Sequence, residues 1–259
     1  MSAGLNKIIQ GLWIGTELSL MEQLSISSFL QNGHDYHLYV YDDVKHIPAG
    51  TVVRNANEIL PAASIFQYKD RPSYAGFSNF FRYKLLLERG GWWADTDTVC
   101  LKAFDFPEEY VFASEIDYRG REVVTSGIIK VPAGSGIMAY AWKVCENKNA
   151  SRLVWGETGP KLVAKAVRKF SLQGYRKGSR VFCPVNYEEW QTLVQPDVGL
   201  SFDDSTFAVH LWNEMWRLAG QDKNAHYHER CLYEKLKTTY LPDASAVPSP
   251  QALVLMPCE

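Results

Sequence analysis

The sequence predicts an α/β protein, on three observations. Strand and helix patterns alternate in the first forty residues. A Gly-Gly pair stops a helix just before an acidic pair set between two strand-like pieces. Further strands and helices then follow with no internal repeat. The elements follow in chain order. Lys7 to Ile14 reads as an apolar strand, Leu18 to Leu30 as a helix closed by Asn32-Gly33, and Tyr36 to Tyr41 as a second strand, which makes a βαβ opening. Asp42-Asp43 follows at the carboxyl end of that strand, where open α/β sheets place their ligands. Val52-Val53 marks a short third strand. Phe77, Phe80, Phe81, Leu85 and Leu86 recur at helical spacing from Tyr74 to Arg89, and Gly90-Gly91 is the stop. Val99 to Phe104, Tyr110 to Ile116 and Glu122 to Val131 read as strands. Ile137 to Glu146 and Gly159 to Phe170 read as helices, with a Gly-rich basic loop, Gly174 to Arg180, behind them. Pro242 to Pro250 is the only Pro/Ser-rich stretch, so one domain over residues 1–241 and an extended tail over 242–259 are expected.

Composition removes several classes of function. With 259 residues and 46% hydrophobic content the chain can bury a sizeable core, and its net charge of -2 offers no excess to hold a phosphate backbone, so nucleic acid is not an expected partner. No run approaches the roughly 20 apolar residues of a membrane helix, and Met1 to Gln10 lacks a basic start followed by an apolar stretch. A cytoplasmic protein is expected, working at most peripherally at the inner face of a membrane. Cys100, Cys145, Cys183, Cys231 and Cys258 form no CxxC pair and read as reduced, mostly buried thiols. Eight Trp and fourteen Tyr are more than such a core requires, and aromatic faces suit sugars and nucleobases.

The central signal is Gly90-Gly91-Trp92-Trp93-Ala94-Asp95-Thr96-Asp97. In an extended segment residues two apart point the same way, so both carboxylates face one bound cation, and hard oxygen ligands suit Mg²⁺ or Mn²⁺. Such a cation keeps room for a substrate diphosphate. The competing reading is two solvated turn acids.

Tyr74-Ala75-Gly76-Phe77-Ser78-Asn79-Phe80-Phe81-Arg82-Tyr83-Lys84-Leu85 through Asp95-Thr96-Asp97 resembles the sugar-nucleotide block of glycosyltransferase family 32. Leu5 to Gly15, Tyr39 to Asp43, Thr158-Gly159-Pro160 and His210 to Trp216 are similar to its other motifs, in order, so the resemblance runs from Leu5 to Arg217. It implies a GT-A type single domain, with a Rossmann-like nucleotide-binding half, a mixed central sheet and an acceptor-binding half. It implies transfer of a sugar, with retention, from a nucleoside diphosphate sugar to a hydroxyl of a glycan or lipid-linked acceptor. Asp95, Asp97 and His210 would hold Mn²⁺ or Mg²⁺. Trp13 would stack the nucleobase, while Ser78, Asn79, Arg82, Trp93 and Trp212 would lie on the donor side. Trp216 reads as core. Glu115, Asp117, Ser126 and Glu157 fall in segments expected to face the acceptor. Asn79 stands where the family usually has Asp, which removes a charge but keeps an acceptor and adds donors. Arg168, Lys169, Arg176, Lys177 and Arg180 form a basic cluster that reads first as a solvated face and second as contact with an anionic acceptor.

Two rivals remain at this level. Asp95-Thr96-Asp97-Thr98 fits the Asp-x-Asp-x-Thr signature of haloacid-dehalogenase-type phosphatases, with Asp203-Asp204 as a downstream metal pair. A non-catalytic module that binds sugar nucleotides would carry the same fold.

Overall fold

The computed structural model describes residues 7–241; the first six residues and the expected tail, with Cys258, lie outside them. A six-stranded mixed sheet runs in the order β3-β2-β1-β4-β7-β6, made by β1 (Ile8–Trp13), β2 (Asp35–Val40), β3 (Val52–Asn55), β4 (Gly91–Ala94), β6 (Val111–Ile116) and β7 (Glu122–Val131). Strands β1 to β4 pair in parallel, while β7 runs antiparallel to both β4 and β6. A two-stranded ribbon pairs β5 (Thr98–Cys100) with β8 (Ala208–His210). The α/β class and mixed sheet are as expected, and the early elements lie within a few residues of their predicted bounds.

The helices divide between the sheet's two faces. Helix α1 (Leu20–Gln31) packs on one face with Phe104, Phe182 and Trp216. Helices α2 (Ala75–Arg89), α3 (Gly136–Glu146) and α4 (Pro160–Lys169) share the core on the other. Trp92 and Trp93, adjacent on β4, are both fully buried because successive strand residues enter opposite cores. Helix α1 starts at a capping box, in which Met21 N–H donates to Ser19 Oγ at 3.3 Å and Ser19 N–H to Glu22 at 2.8 Å. Its serines then grip the ribbon: Ser25 Oγ donates to the Thr98 carbonyl at 2.6 Å, and Cys100 N–H donates to Ser28 Oγ at 2.8 Å. The chain just after the acidic pair is therefore tied to α1.

Gly90 makes the approach to that pair possible. It sits at φ +62°, and a Cβ there would lie 2.3 Å from the Ala133 nitrogen. Only glycine suits a backbone both left-handed and pressed against another chain segment. Gly90→Ala is expected to destabilise the fold by roughly 2–4 kcal/mol, read from the midpoint of urea unfolding.

Some expectations shift. The apolar stretch Val99 to Phe104 leaves the ribbon after Cys100, and Phe104 turns into the core instead. Short helices α5 (Ser179–Phe182) and α6 (Asn213–Ala219), and α7 (Leu232–Tyr240), were not foreseen. Cys100, Cys145, Cys183 and Cys231 are free and buried, as expected. Among the described residues no helix is long and apolar enough to cross a membrane. The basic cluster disperses, since Arg176 pairs with Glu122, Lys177 with Glu108, and Lys169 rests on the Tyr140 ring.

Candidate active site

The acidic pair sits on a tight turn between β4 and β5, not in an extended segment. Thr98 N–H donates to the Asp95 carbonyl at 3.0 Å, so the chain reverses and both carboxylates reach one side by the turn rather than by strand alternation. Asp95 N–H donates to the Gly127 carbonyl at 2.9 Å and Leu211 N–H to the Asp97 carbonyl at 2.8 Å, which fixes the turn between β7 and the segment after β8.

One ligand atom each from Asp95, Asp97 and His210 lies within 4.8 Å of the others. Their side chains are 28%, 14% and 13% exposed, enough for a small ligand to reach them. His210 Nε2 lies 3.0 Å from Asp97 Oδ1, and Asn213 N–H donates to Asp97 Oδ2 at 2.8 Å. Burial alone would raise the Asp97 carboxyl, but His210 and these hydrogen bonds outweigh it and hold Asp97 low. Burial likewise opposes charge on His210, and Asp97 overrides it to raise the imidazole. For Asp95 burial wins over the Arg82 guanidinium, and the nearby Asp97 adds to the rise. Asp95 Oδ2 faces Gly127, where a Cβ would come within 3.1 Å of that oxygen and 4.0 Å of His210 Nε2. The missing side chain leaves the ligand atoms uncovered. Two carboxylates, an imidazole and this clearance fit a divalent cation such as Mn²⁺ or Mg²⁺.

Beneath the turn the expected donor contacts have another task. Arg82 is 3% exposed and lies 4.7 Å over the Trp93 ring. It donates to Asp95 Oδ1 at 2.5 Å and to Asn79 Oδ1 at 2.6 Å, and reaches Ser78 Oγ at 3.5 Å. Trp93 Nε1 donates to the same Asp95 oxygen at 2.8 Å. Both side chains are buried and both hold Asp95. Asn79 gives its oxygen to Arg82, and its Nδ2 lies 3.3 Å from where a Cβ of Gly159 would be, with Ser126 Oγ at 3.5 Å from the same point. Trp212 is also mostly buried. It occupies a left-handed conformation at φ +61°, lays its ring against His210 at 4.0 Å and donates from Nε1 to the Val185 carbonyl. It therefore positions His210, and Trp216 is core as expected.

Trp13, at the end of β1 beside the acidic strand, lines an open groove of about 510 Å³ with Glu17, Gln23, His46 and Lys223. Ser126 and Glu115 stand near the pair. Burial raises the Glu115 carboxyl, Thr125 hydrogen-bonds it, and both His210 and Asp95 lie within its field. Asp117 and Glu157 are not brought in. Asp117 accepts from the N–H groups of Arg119 and Arg121 and from the Arg121 guanidinium, which lowers it to about 2 and makes it the clamp of the β6–β7 turn. Glu157 is bound by Lys148 and the Val154 N–H. Sequence reasoning missed the Asn213 N–H, because a backbone donor carries no side-chain signature.

Asp203 and Asp204 are exposed, and Asp203 accepts from Ser205. The acidic pair recruits His210 instead of these two, which removes the support for the phosphatase reading.

A raised folded-state value means that Glu115 binds its proton more tightly in the native protein than in the unfolded chain, so its contribution is full below the ordinary carboxylate range and lost as pH rises through the raised value. With cations chelated, Glu115→Gln is expected to raise the Tm at about pH 7 and to leave it little changed at about pH 4.

Residues 20–113 match the family described as glycosyltransferase sugar-binding region containing DXD motif, and residues 148–247 match the alpha 1,4-glycosyltransferase conserved region. Solved structures similar to the chain include the PaToxG glycosyltransferase, at 18% identity and TM-score 0.46 over 64% of this chain and 70% of that one. The ligand-free glycosyltransferase domain from the YGT toxin follows at 9% identity and TM-score 0.48, over 76% and 83%. Its UDP-bound form is similar at 9% and 0.41, over 89% and 81%. No curated protein sequence matches the chain. By its two family matches the protein is a glycosyltransferase. The acidic turn, with Asp95 and Asp97, lies inside the matched DXD region, and His210 inside the second.

Proposed function

We propose that the protein transfers a sugar, with retention of anomeric configuration, from a nucleoside diphosphate sugar to a hydroxyl of a glycan or lipid-linked acceptor. The domain of residues 1–241 would act in the cytoplasm, at most peripherally at a membrane face. The reading is carried by one observation, the convergence of Asp95 and Asp97, from the DXD-containing sugar-binding region, with His210 from the second matched region. Those three residues would hold Mn²⁺ or Mg²⁺, which when bound supplies Lewis-acid stabilisation of the departing diphosphate.

The chain's own groups do the rest. Arg82 and Trp93 hold Asp95 in one orientation, so little reorganisation is needed as charge develops on the leaving group. Asn79 Nδ2, beside Gly159, would meet a hydroxyl of the donor sugar, and Ser126 Oγ next to it would face the acceptor. An amide donor at this point favours a sugar oxygen that accepts, where a carboxylate would favour one that donates. Trp13 offers its ring for the base above the groove. Retention in the form the resemblance implies lets a diphosphate oxygen take the acceptor proton, so Glu115 orients the acceptor rather than acting as an obligatory base.

Nucleotide release from a panel of UDP- and GDP-sugars, with Mn²⁺, Mg²⁺ or chelator, tests this. Slow hydrolysis of one donor, abolished by chelator, is expected. Turnover of a generic phosphatase substrate alone overturns it.

A further inference from the structure

A second cavity lies at the other end of the strands that carry the site. It has a volume of about 300 Å³ and opens beside Ile8 and Gly91, the first residues of β1 and β4, whereas Trp13 and Asp95 lie at or just past their last. Five residue steps along β1 lead from Ile8 to Trp13, roughly 17 Å at the usual rise. Its lining includes none of Asp95, Asp97 and His210.

The lining has a definite chemistry. Arg54 from β3 and Arg89 from the last turn of α2 both face it, with one carboxylate, Glu58, in opposition. Glu58 reaches only Arg89, at 3.6 Å, beyond hydrogen-bond distance. Arg54 makes no ion pair among the described residues. Tyr39 lines it too. Its ring packs on Phe81 and its hydroxyl opens onto the cavity, in the fields of Arg89 and Arg54. His37 completes the wall, kept neutral by burial and by Arg54 and so able to donate or accept. Two guanidiniums against one loosely held carboxylate leave a net positive cavity, and the Tyr39 hydroxyl adds a neutral donor to its wall.

We propose that this cavity binds a small phosphate-bearing metabolite, its oxyanion held by Arg54, Arg89 and the Tyr39 hydroxyl and its remaining atoms lying along Ile8 and Gly91. Arginine forks suit tetrahedral oxyanions, and the volume matches the lower end of small-molecule sites. The site is distinct from the donor site and does not depend on the transferase reading.

The test uses the full chain with chelator present, so that the acidic turn binds no cation, and inorganic phosphate as the probe. Thermal melts are run against phosphate at constant ionic strength. Wild type is expected to gain Tm saturably, as a ligand selective for the native state requires. Arg54→Ala and Arg89→Ala are each expected to weaken apparent phosphate affinity by roughly 10-fold, the loss of one charge-assisted contact. Tyr39→Phe keeps the ring and weakens it less. Asp97→Asn leaves it unchanged. Arg54 is exposed, so its variant retains the fold. An equal Tm gain in wild type, Arg54→Ala and Arg89→Ala, or no saturable gain in wild type, overturns the proposal.

Discussion

Asp97→Asn is expected to lower metal-dependent nucleotide release by roughly 10²–10³-fold or more while leaving the protein folded. Asparagine keeps the shape of the side chain and an oxygen that can accept from the Asn213 N–H, so the turn survives. What it loses is the negative charge at Oδ1, the atom that faces His210. A cation site reduced to one carboxylate and an imidazole holds a hard cation poorly. Asp95→Asn should match it in turnover. Retained metal-dependent release in both variants would remove the acidic pair from the chemistry.

The same substitution has a signature in pH. Asp97 is held low, so its share of stability is present above the ordinary carboxylate range and is lost as pH falls through the lowered value. His210 is raised, so its share is full below the ordinary imidazole range and is lost as pH rises through the raised value. In chelated protein the pair therefore stabilises most between about pH 4 and about pH 6.5. Asp97→Asn is expected to flatten that window in plots of Tm against pH. An unchanged profile would mean that Asp97 and His210 do not form their ion pair in solution.

Most of the architecture was readable where period and stop signals were strong. The α2 pattern of aromatics, its Gly90-Gly91 stop and the two strands from Tyr110 to Val131 were each visible locally, because one face of each element is buried. The ribbon of β5 and β8 was not. Each strand has three residues, and their pairing depends on α1 serines binding the β5 backbone from a distant part of the chain. Residue identity located Asp95, Asp97 and His210, but not how the residues around them hold them. Arg82, Trp93 and Trp212 read as ligand contacts because a guanidinium and indoles commonly are, and only the folded geometry shows that they also hold Asp95 and His210. Asp117 is held away from the pair by the arginine four residues on.

Arg82→Met is expected to be the most destabilising single change at the site, by about 3–5 kcal/mol, since removing one partner of a buried ion pair strands the other. In a chain of this size that is roughly a 6–20 °C fall in Tm. Arg82 is 3% exposed and bridges Asp95 and Asn79, so methionine fills much of its volume but returns neither hydrogen bond. The double variant Arg82→Met/Asp95→Asn should recover part of the loss, because the stranded carboxylate is gone, while turnover stays low. That recovery separates the two roles open to Arg82. A donor contact would raise KM and leave stability nearly untouched, and adding Asp95→Asn would then give no rescue. A residue that orients Asp95 instead couples to it in stability, and its loss lowers kcat through a misplaced carboxylate. Arg82→Lys keeps the charge without the fork and is expected to fall between the two, because an ammonium can reach Asp95 or Asn79 but cannot hold both in one plane.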